Sequence, residues 1–201
     1  MDDRKYWNKF YKENKDINLQ PSSFAEFSEF WIADRKELIE FGCGNGRDSI
    51  YFSSRGLDVT AVDNSQETID SLSEASTGVS AVCKDVLNMN DIAGRYDVVY
   101  SRFFLHSIDE HREDALLSWA SQSLREDGIM LIEVRTKKDE NLKKTYEGHF
   151  RRYVDFEVLK EKISSLGFSI DYAIESQGLS VYGNEDPYLA RIVASKKDFS
   201  K

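Results

Sequence analysis

The stretch ELIEFGCGNGRDS, residues 37–49, decides the fold. It starts with a short apolar run, which is typical of a buried β-strand. Three glycines follow at alternate positions, Gly42, Gly44 and Gly46. Because glycine has no side chain, it allows unusual backbone turns and lets another group come close to the chain. The stretch therefore predicts a strand, a tight loop that a ligand approaches closely, and a helix that begins near Gly46.

Short apolar runs alternate with helical segments on both sides of this loop. Strands are predicted at 37–41, 58–62, 79–83, 96–101 and 128–134, and helices at 46–55, 65–76, 110–124 and 155–166. This alternation favours a parallel sheet covered by helices on both faces. Two more strand-like runs, FSIDYAIE and YLARIVASK, have no helix between them. They are expected to pair antiparallel, since a parallel pair needs a long crossover.

The first 35 residues have a helical pattern and many aromatic side chains. One run is YWNKFYKEN at 6–14, and a second, FAEFSEFWIADR, follows Pro21, Ser22 and Ser23. A proline and serines before an apolar periodic run are typical of a helix start. Two helices are therefore predicted ahead of the first strand.

Composition limits the class of protein. A chain of 201 residues with 40% hydrophobic residues suits one globular domain, residues 1–201. No apolar run reaches the roughly 20 residues that cross a bilayer, and the charged N-terminus has no signal-peptide core. Cys43 and Cys83 are expected to be free thiols in a reducing cytoplasm. The net charge of −9 disfavours a nucleic-acid partner, and no metal site is predicted.

The glycine loop fits some nucleotide sites poorly. A phosphate-binding loop of the triphosphatase type ends in Gly-Lys-Ser/Thr, but Arg47 and Asp48 follow Gly46 here. A dinucleotide loop would place its third glycine where Arg47 stands. Asp63, at the end of the second strand, matches an acid that binds ribose hydroxyls. Since any adenosine ligand can use such an acid, Asp63 alone does not discriminate between ligands.

The ordered set of motifs resembles the class I S-adenosylmethionine-dependent methyltransferases. The glycine stretch is followed by VTAVDNS, VCKDVLNM, YDVVYSRFFLH and LREDGIMLIEV, and the resemblance is strong over residues 36–135. It implies an α/β, doubly wound, Rossmann-like fold. The seven-stranded sheet would be mostly parallel, with a C-terminal antiparallel hairpin and an N-terminal helical lid.

The resemblance also divides the chain by role. It implies an N-terminal helical lid at 1–35, a cofactor-binding core at 36–135, an acceptor loop at 136–153, and a final helix and hairpin at 154–201.

S-adenosyl-L-methionine is the cofactor that the resemblance implies. Glu40 is placed near its cationic methionine moiety, Asp63 at the ribose diol, and Asp85 at the adenine amino group. Asp85 as a turn residue and Cys43 as a small packing residue are the alternatives. The aromatic residues before the first strand either cover the cofactor or dock the helices on the sheet. The full set of expected cofactor contacts is Tyr11, Phe24, Glu40, Gly42, Cys43, Gly44, Gly46, Asp63, Asn64, Asp85, Val86 and Ser101.

Cations in this acidic chain follow the fourth and fifth strands, at the edge where ligands bind in parallel sheets. They favour an anionic acceptor such as a phosphate monoester or a carboxylate. His106 and Arg102 are the candidate catalytic residues, with His106 as a base for a hydroxyl acceptor. The alternatives are a loop-capping His106 and surface charges that balance an acidic protein. The candidate acceptor-binding residues are Arg102, Arg135, His149, Arg151, Arg152 and Tyr153, with one of the two adjacent arginines facing inward.

The expected function is O-methylation of an anionic small molecule or a phosphorylated sugar precursor. The tail from residue 150 is similar to methyltransferases of bacterial surface-polysaccharide biosynthesis. Three alternatives stay open: a protein or N-methyltransferase on the same fold, an inactive methyltransferase-like partner protein, and a dehydrogenase, against which Arg47 argues. The acceptor's identity and the oligomeric state are left open.

Overall fold

The computed structural model describes residues 4–13, 20–76, 78–92, 96–142, 144 and 148–197. Its strands are β1 Glu37–Phe41, β2 Asp58–Asp63, β3 Val79–Cys83, β4 Tyr96–Arg102, β5 Leu124–Arg135, β6 Phe168–Ser176 and β7 Leu189–Lys196. Its helices are α1 Arg4–Glu13, α2 Ser23–Ile32, α3 Arg47–Ser54, α4 Gln66–Ala75, α5 Glu110–Ser123 and α6 Phe156–Ser165. Within these ranges the alternation of strand and helix matches the prediction.

All seven strands form one sheet in the order β3-β2-β1-β4-β5-β7-β6. Strands β1 to β5 pair in parallel, and β7 runs antiparallel to both of its neighbours. The chain leaves β1 in one direction to form β2 and β3, and then returns to the other side of β1 to form β4. Ligands of such sheets bind outside the carboxyl ends of the strands at this reversal. The crevice between the loops after β1 and β4 is therefore where a site is expected.

Local signals set where the helices begin. The Ser22 hydroxyl accepts a hydrogen bond from the Ala25 backbone N–H at the start of α2. Ser65, Asp109 and Asp155 cap α4, α5 and α6 in the same way. Each of these side chains satisfies a backbone N–H that the helix itself leaves without a partner. These short polar residues, which precede helical runs in the sequence, explain why the predicted boundaries lie so close to the observed ones.

The C-terminal pair is antiparallel as expected, but β7 lies between β5 and β6, and β6 forms the edge of the sheet. Burial explains this order. Six successive residues of β7, Leu189–Ala194, are buried, whereas most of β6 is only partly buried or exposed. A strand that is apolar on both faces is stable inside a sheet.

Strand β5 begins four residues earlier than predicted. Leu124 pairs with Tyr96, and the next pair along is Ile129 with Val98, so the register shifts between them. Asp127 takes a left-handed conformation with φ of 62° inside this irregular stretch. The polar run after Leu124, which lies between the predicted helix and the predicted strand, is therefore a bulge within the strand.

The core lies on both faces of the sheet, because successive residues of a strand point to opposite sides. Ile39 and Phe41 belong to one cluster together with Leu116 on α5, and Leu38 belongs to the other together with Phe24 on α2. In the part of the chain that the structure describes, no helix combines the length and the apolar character needed to cross a membrane.

Candidate active site

A cavity of about 880 Å³ lies at the carboxyl ends of the parallel strands. Its walls come from α1, the glycine loop, the ends of β2, β3 and β5, the turn after β4, residues 148–151, and the loop between β6 and β7. Pockets of this size hold small molecules and are usually largely preformed. The cavity occupies the crevice where the order of the sheet reverses.

The glycine loop turns sharply at the cavity. Gly42, Gly44 and Gly46 all have positive φ, at 71°, 52° and 74°. A Cβ on Gly42 would lie 2.5 Å from the ring of Phe104, so glycine lets the loops after β1 and β4 pack together. Gly42 and Gly44 line the cavity. Gly46 does not: a Cβ there would overlap Leu72 of α4, so its missing side chain makes room for helix packing rather than for a ligand.

Two buried carboxyl groups, Glu40 and Asp48, lie on the cavity wall. Glu40 accepts a short hydrogen bond from the Ser49 hydroxyl. Asp48 accepts hydrogen bonds from the Ser22 N–H at 2.8 Å and the Tyr100 hydroxyl at 2.8 Å. Burial, reinforced by the negative charge of Asp48, raises the pKa of Glu40 to about 8. A cationic group bound here would offset the repulsion between these two carboxyl groups.

Asp63 and Asp85 follow the neighbouring strands β2 and β3 on the same wall. Asp63 accepts backbone hydrogen bonds from Gly44 at 3.1 Å and Ser65 at 3.0 Å, which fixes its carboxylate beside the glycine loop. Burial raises its pKa. Asp85 caps the turn at Val86–Asn88 and accepts hydrogen bonds from the Arg112 guanidinium at 3.1 and 3.2 Å. Asn64 also lines the cavity.

Three expected cofactor contacts are not on the wall of this cavity, although Val86 lines a smaller pocket beside it together with Asp63, Asn64 and Asp85. Phe24 is fully buried and stacks on Tyr100 with ring centroids 5.1 Å apart, so it docks α2 on the sheet. Val86 is buried in the core cluster that contains Phe41. Ser101 is buried in β4, and its hydroxyl has no hydrogen-bond partner among the described residues. The side chain of Tyr11 lies outside the part of the chain that is described.

Aromatic side chains from both halves of the chain meet at the mouth of the cavity. Trp7 and Phe10 of α1 line it, as does His149. The His149 ring lies 4.8 Å from the Tyr6 ring and 4.9 Å from the Trp7 ring, centroid to centroid. The N-terminal helix therefore covers the cavity through Trp7 and Phe10, residues one helical turn apart.

Two of the expected acceptor-binding arginines are held by carboxylates. Arg102 lines the cavity, and its Nε donates to buried Glu133 at 3.0 Å. Arg135 is buried and pairs with Asp139 at 2.7 Å and with Glu185. Each guanidinium is therefore already partly neutralised by the fold, and the expected role of the two residues in binding the acceptor stays a prediction.

The adjacent arginines Arg151 and Arg152 point in different directions. Arg151 lines the cavity, and its Nη2 lies 3.1 Å from His149 Nε2. Arg152 donates to the carbonyl groups of Leu105 and Ile108 and pairs with Glu113, so it ties this segment to the turn after β4. Arg152 is outside the cavity wall, as is Tyr153, whose ring lies 5.4 Å from Lys144 Nζ. Both side chains make contacts within the fold, and their expected role in binding the acceptor stays a prediction.

His106 lies on the cavity wall in the turn Leu105–Ser107 and is only 5% exposed. Its Nδ1 accepts a hydrogen bond from the Arg135 backbone N–H at 3.2 Å. Burial and the positive charge of Arg135 and Arg151 hold the pKa of His106 well below its usual value. The ring is therefore neutral, with its proton on Nε2. This arrangement disagrees with the expected role as a base, because the lone pair of Nδ1 is engaged.

The cavity therefore has an acidic side and a basic side, named here for the side chains that line each of them. The acidic side contains Glu40, Asp48, Asp63 and Asp85, and the negative charges of Asp63 and Glu40 also help to raise the pKa of Cys43. The basic side contains Arg102, His106, Arg135, His149 and Arg151. The guanidinium groups of Arg135, Arg151 and Arg102, all on this side, help to lower the pKa of His106. Carboxyl groups thus predominate beside the glycine loop, with Arg47 and Arg112 among them, while arginine and imidazole side chains predominate on the basic side, together with Glu185.

Some residues of the cavity wall were not identified from the sequence. Asp48 follows the glycine loop directly, and its position at the start of a helix was the available signal. Arg112 and the segment Gly178–Tyr182 gave no signal, because they reach the cavity only through the fold. That segment is held by Arg191, whose Nη2 donates to the Leu179 carbonyl at 2.7 Å and to the Ser23 hydroxyl at 2.9 Å.

The chain belongs to the methyltransferase domain family, whose model matches residues 15–170. Over 108 residues it is 26% identical to TehB of Haemophilus influenzae, named as an S-adenosyl-L-methionine-dependent methyltransferase, and that match covers 52% of this chain and 37% of TehB. It is also 34% identical over 98 residues to protein 235L of Invertebrate iridescent virus 6, named as a methyltransferase, which covers 47% of this chain and 36% of that protein. The matches therefore span little more than a third of these curated relatives.

Solved structures show the same fold. The crystal structure of TehB from Haemophilus influenzae has a TM-score of 0.73 at 19% identity, covering 95% of this chain and 67% of TehB. A methyltransferase from Clostridium acetobutylicum has a TM-score of 0.73 at 13% identity, covering 98% and 100% of the two chains. The doubly wound, mostly parallel fold expected from the sequence is confirmed.

S-adenosyl-L-methionine is the cofactor that the family implies, and the residues present fit it. The molecule carries an ammonium and a sulfonium group, which suit the acidic side with its raised Glu40 pKa. The carboxylate of Asp63, fixed by Gly44 and Ser65, is an acceptor for a ribose diol. Gly42 and Gly44 line the cavity at the loop, and because they have no side chains a ligand can come close to the backbone there.

Proposed function

We propose that this protein transfers a methyl group from S-adenosyl-L-methionine to a small anionic acceptor, most simply by O-methylation. The observation that carries the proposal is the separation, on one cavity wall, of the carboxyl groups beside the glycine loop from most of the arginine and imidazole side chains. The acidic side suits the cationic cofactor, and the basic side suits an acceptor of opposite charge. Bound there, the cofactor supplies an electrophilic methyl group.

The chain's own contribution is alignment and exclusion of water. Asp63 and the glycine loop orient one ligand, while Arg151 and His106 face the position of the other. Trp7 and Phe10 of α1 cover the mouth of the cavity. Bringing two reactants together in the correct geometry supplies much of the rate enhancement in a reaction of this kind. A role in surface-polysaccharide biosynthesis, suggested by the sequence from residue 150 onward, stays a prediction.

Calorimetric titration with S-adenosylmethionine, S-adenosylhomocysteine and NAD tests the cofactor. We expect the first two to bind and NAD not to bind. Asp63→Ala should weaken S-adenosylhomocysteine binding at least about tenfold, because it removes charge-assisted hydrogen bonds worth about 1.5–3 kcal/mol each. Unchanged binding in this variant, or preferred binding of NAD, would overturn the cofactor assignment.

A methyl-transfer screen over phosphorylated sugars, nucleotides and small acids then tests the acceptor. Once an acceptor has been identified, Arg151→Ala should raise the Michaelis constant for that acceptor about tenfold and leave the affinity for the cofactor nearly unchanged. Arg55→Ala is the matched control, since Arg55 is a surface residue whose guanidinium pairs with Glu29 at 2.8 Å. Equal effects of the two substitutions would remove Arg151 from the proposed site.

A further inference from the structure

The two imidazoles on the basic side have their lone pairs engaged. His106 Nδ1 accepts from the Arg135 backbone N–H at 3.2 Å, and His149 Nε2 lies 3.1 Å from Arg151 Nη2. A backbone N–H and a guanidinium can only donate, so both ring nitrogens are acceptors and each ring carries its proton on the other nitrogen. Neither histidine is placed to remove a proton from an acceptor.

The carboxylates of this region are engaged as well. Glu133 accepts from Arg102 at 3.0 Å and from Arg191 at 2.7 Å. Glu185 and Asp139 both pair with Arg135. Each of these carboxylates is therefore already engaged by guanidinium N–H donors. Among the described residues, the basic side therefore offers hydrogen-bond donors rather than a proton acceptor.

His106 contributes one of those donors. Its ring lines the cavity, and Nε2, which carries the proton, has no hydrogen-bond partner among the described residues. The hydrogen bond at Nδ1 leaves the proton on Nε2, and burial together with the charges of Arg135 and Arg151 lowers the pKa of His106, which favours the neutral ring. An N–H that faces a cavity beside arginine guanidinium groups is suited to an oxygen that carries negative charge.

We infer that the atom methylated is an oxygen that arrives already ionised, in a carboxylate or a phosphate monoester, and that none of the described residues of the basic side acts as a general base. The inference rests on the proposed function and adds the chemical class of the nucleophile. The oxyanion supplies the electron pair of the new O–C bond, and the pair of the broken C–S bond passes to sulfur. No proton moves, because carboxylates ionise near pH 4 and phosphate monoesters lose their second proton near pH 6.

The role of His106 that follows is that of a donor that positions the acceptor. Replacement by Gln keeps an N–H donor and removes the imidazole, whereas replacement by Phe keeps an aromatic ring and removes the donor. A base would be lost in both variants. Comparison of the Gln variant with the Phe variant therefore distinguishes a hydrogen-bond donor from a general base.

The first experiment measures binding of matched probes to the complex with S-adenosylhomocysteine, by calorimetry at pH 7.5. Benzoate and phenyl phosphate are the anionic probes, and benzyl alcohol is the neutral probe of similar shape. We expect at least one anion to bind about tenfold or more tightly than the alcohol. His106→Phe should remove most of this preference and His106→Gln should keep most of it. Equal binding of all three probes, or equal loss in both variants, would overturn the inference.

A second experiment follows transfer of a radiolabelled methyl group to small carboxylic acids, phosphate monoesters and alcohols between pH 7 and 9. We expect product in the acid or phosphate arm, with a rate that stays level across this range; the productive arm identifies the acceptor group. Transfer to alcohols alone, or a rate that rises tenfold per pH unit, would overturn the inference and leave methyl transfer intact. Failure to bind S-adenosylhomocysteine would instead overturn the proposed function.

Discussion

Glu40 links the glycine motif to the electrostatics of the cavity. It is the last but one residue of β1, fully enclosed, and close to the second acid Asp48. Because its pKa rises from 4.5 to about 8 on folding, the folded protein holds this proton more tightly than the unfolded chain does. The contribution of Glu40 to stability is therefore fully present below about pH 4.5 and is lost as the pH rises through about 8.

A cationic ligand at Glu40 should favour the ionised form. We expect S-adenosylhomocysteine, through its ammonium group, to release a proton when it binds at pH 7. Calorimetry in buffers of different ionisation enthalpy measures this release. Glu40→Gln should abolish it and should lose less stability than the parent protein between pH 6 and 8.5. The surface substitution Glu29→Gln is the control, and proton release that persists in Glu40→Gln would contradict this account.

The arginines show why residue type alone does not assign a role. Arg151 and Arg152 are neighbours in sequence, yet one lines the cavity and the other ties the segment to Glu113, 39 residues away. Arg135 pairs with Glu185, 50 residues away. Such partners are chosen by the three-dimensional fold. The sequence therefore located the basic edge of the sheet but could not separate the arginines that bind a ligand from those that bind carboxylates.

At the scale of elements, the glycine loop positions a helix as well as a ligand. Gly46 caps α3 in a left-handed conformation, and Leu72 of α4 occupies the space beside it. The three glycines look alike in the sequence, and only the packing of α4 distinguishes the third.

Gly46→Ala should therefore reduce stability more than it would at a glycine with open surroundings. We expect a loss of about 2–4 kcal/mol, from a strained φ and from overlap with Leu72. Gly56→Ala is the matched control, since Gly56 has φ of 90° and nothing within 4 Å of its Cβ position. It should lose only about 1–2 kcal/mol. Urea unfolding measures both, and equal losses would show that Leu72 adjusts without cost.

Helix starts and strand positions were predictable because their signals are local. Ser22, Ser65, Asp109 and Asp155 each cap the helix that begins at the next residue. The insertion of β7 between β5 and β6 was not predicted, since the choice depends on which strand is buried on both faces. Phe24 was misread for a related reason: an aromatic residue on a helix near a site packs inward or outward according to the sheet beneath it.

At the scale of the whole molecule, the cavity is closed by segments far apart in the chain. Helix α1 meets residues 148–151 at the mouth, and the loop between β6 and β7 forms another wall. The Ser65 hydroxyl donates a hydrogen bond to Asn8 Oδ1 at 2.6 Å. This bond attaches α1 to Ser65, which lies two residues after Asp63 in the sequence. Because α1 is attached close to Asp63, the proposed ribose acceptor, we expect a ligand bound at Asp63 to change the surroundings of α1.

Tryptophan fluorescence can report this response, because the three tryptophans lie in different surroundings. Trp7 lines the cavity, Trp119 packs on Phe41 and Tyr96, and Trp31 packs on Tyr172. We expect S-adenosylhomocysteine to change the emission of the parent protein and of Trp31→Phe but not of Trp7→Phe. Trp7→Ala should weaken binding about two- to tenfold, the loss expected for one aromatic contact. A signal that survives in Trp7→Phe and disappears in Trp31→Phe would place the response away from α1, and the helix would then be a docked element of the fold rather than a cover for the ligand.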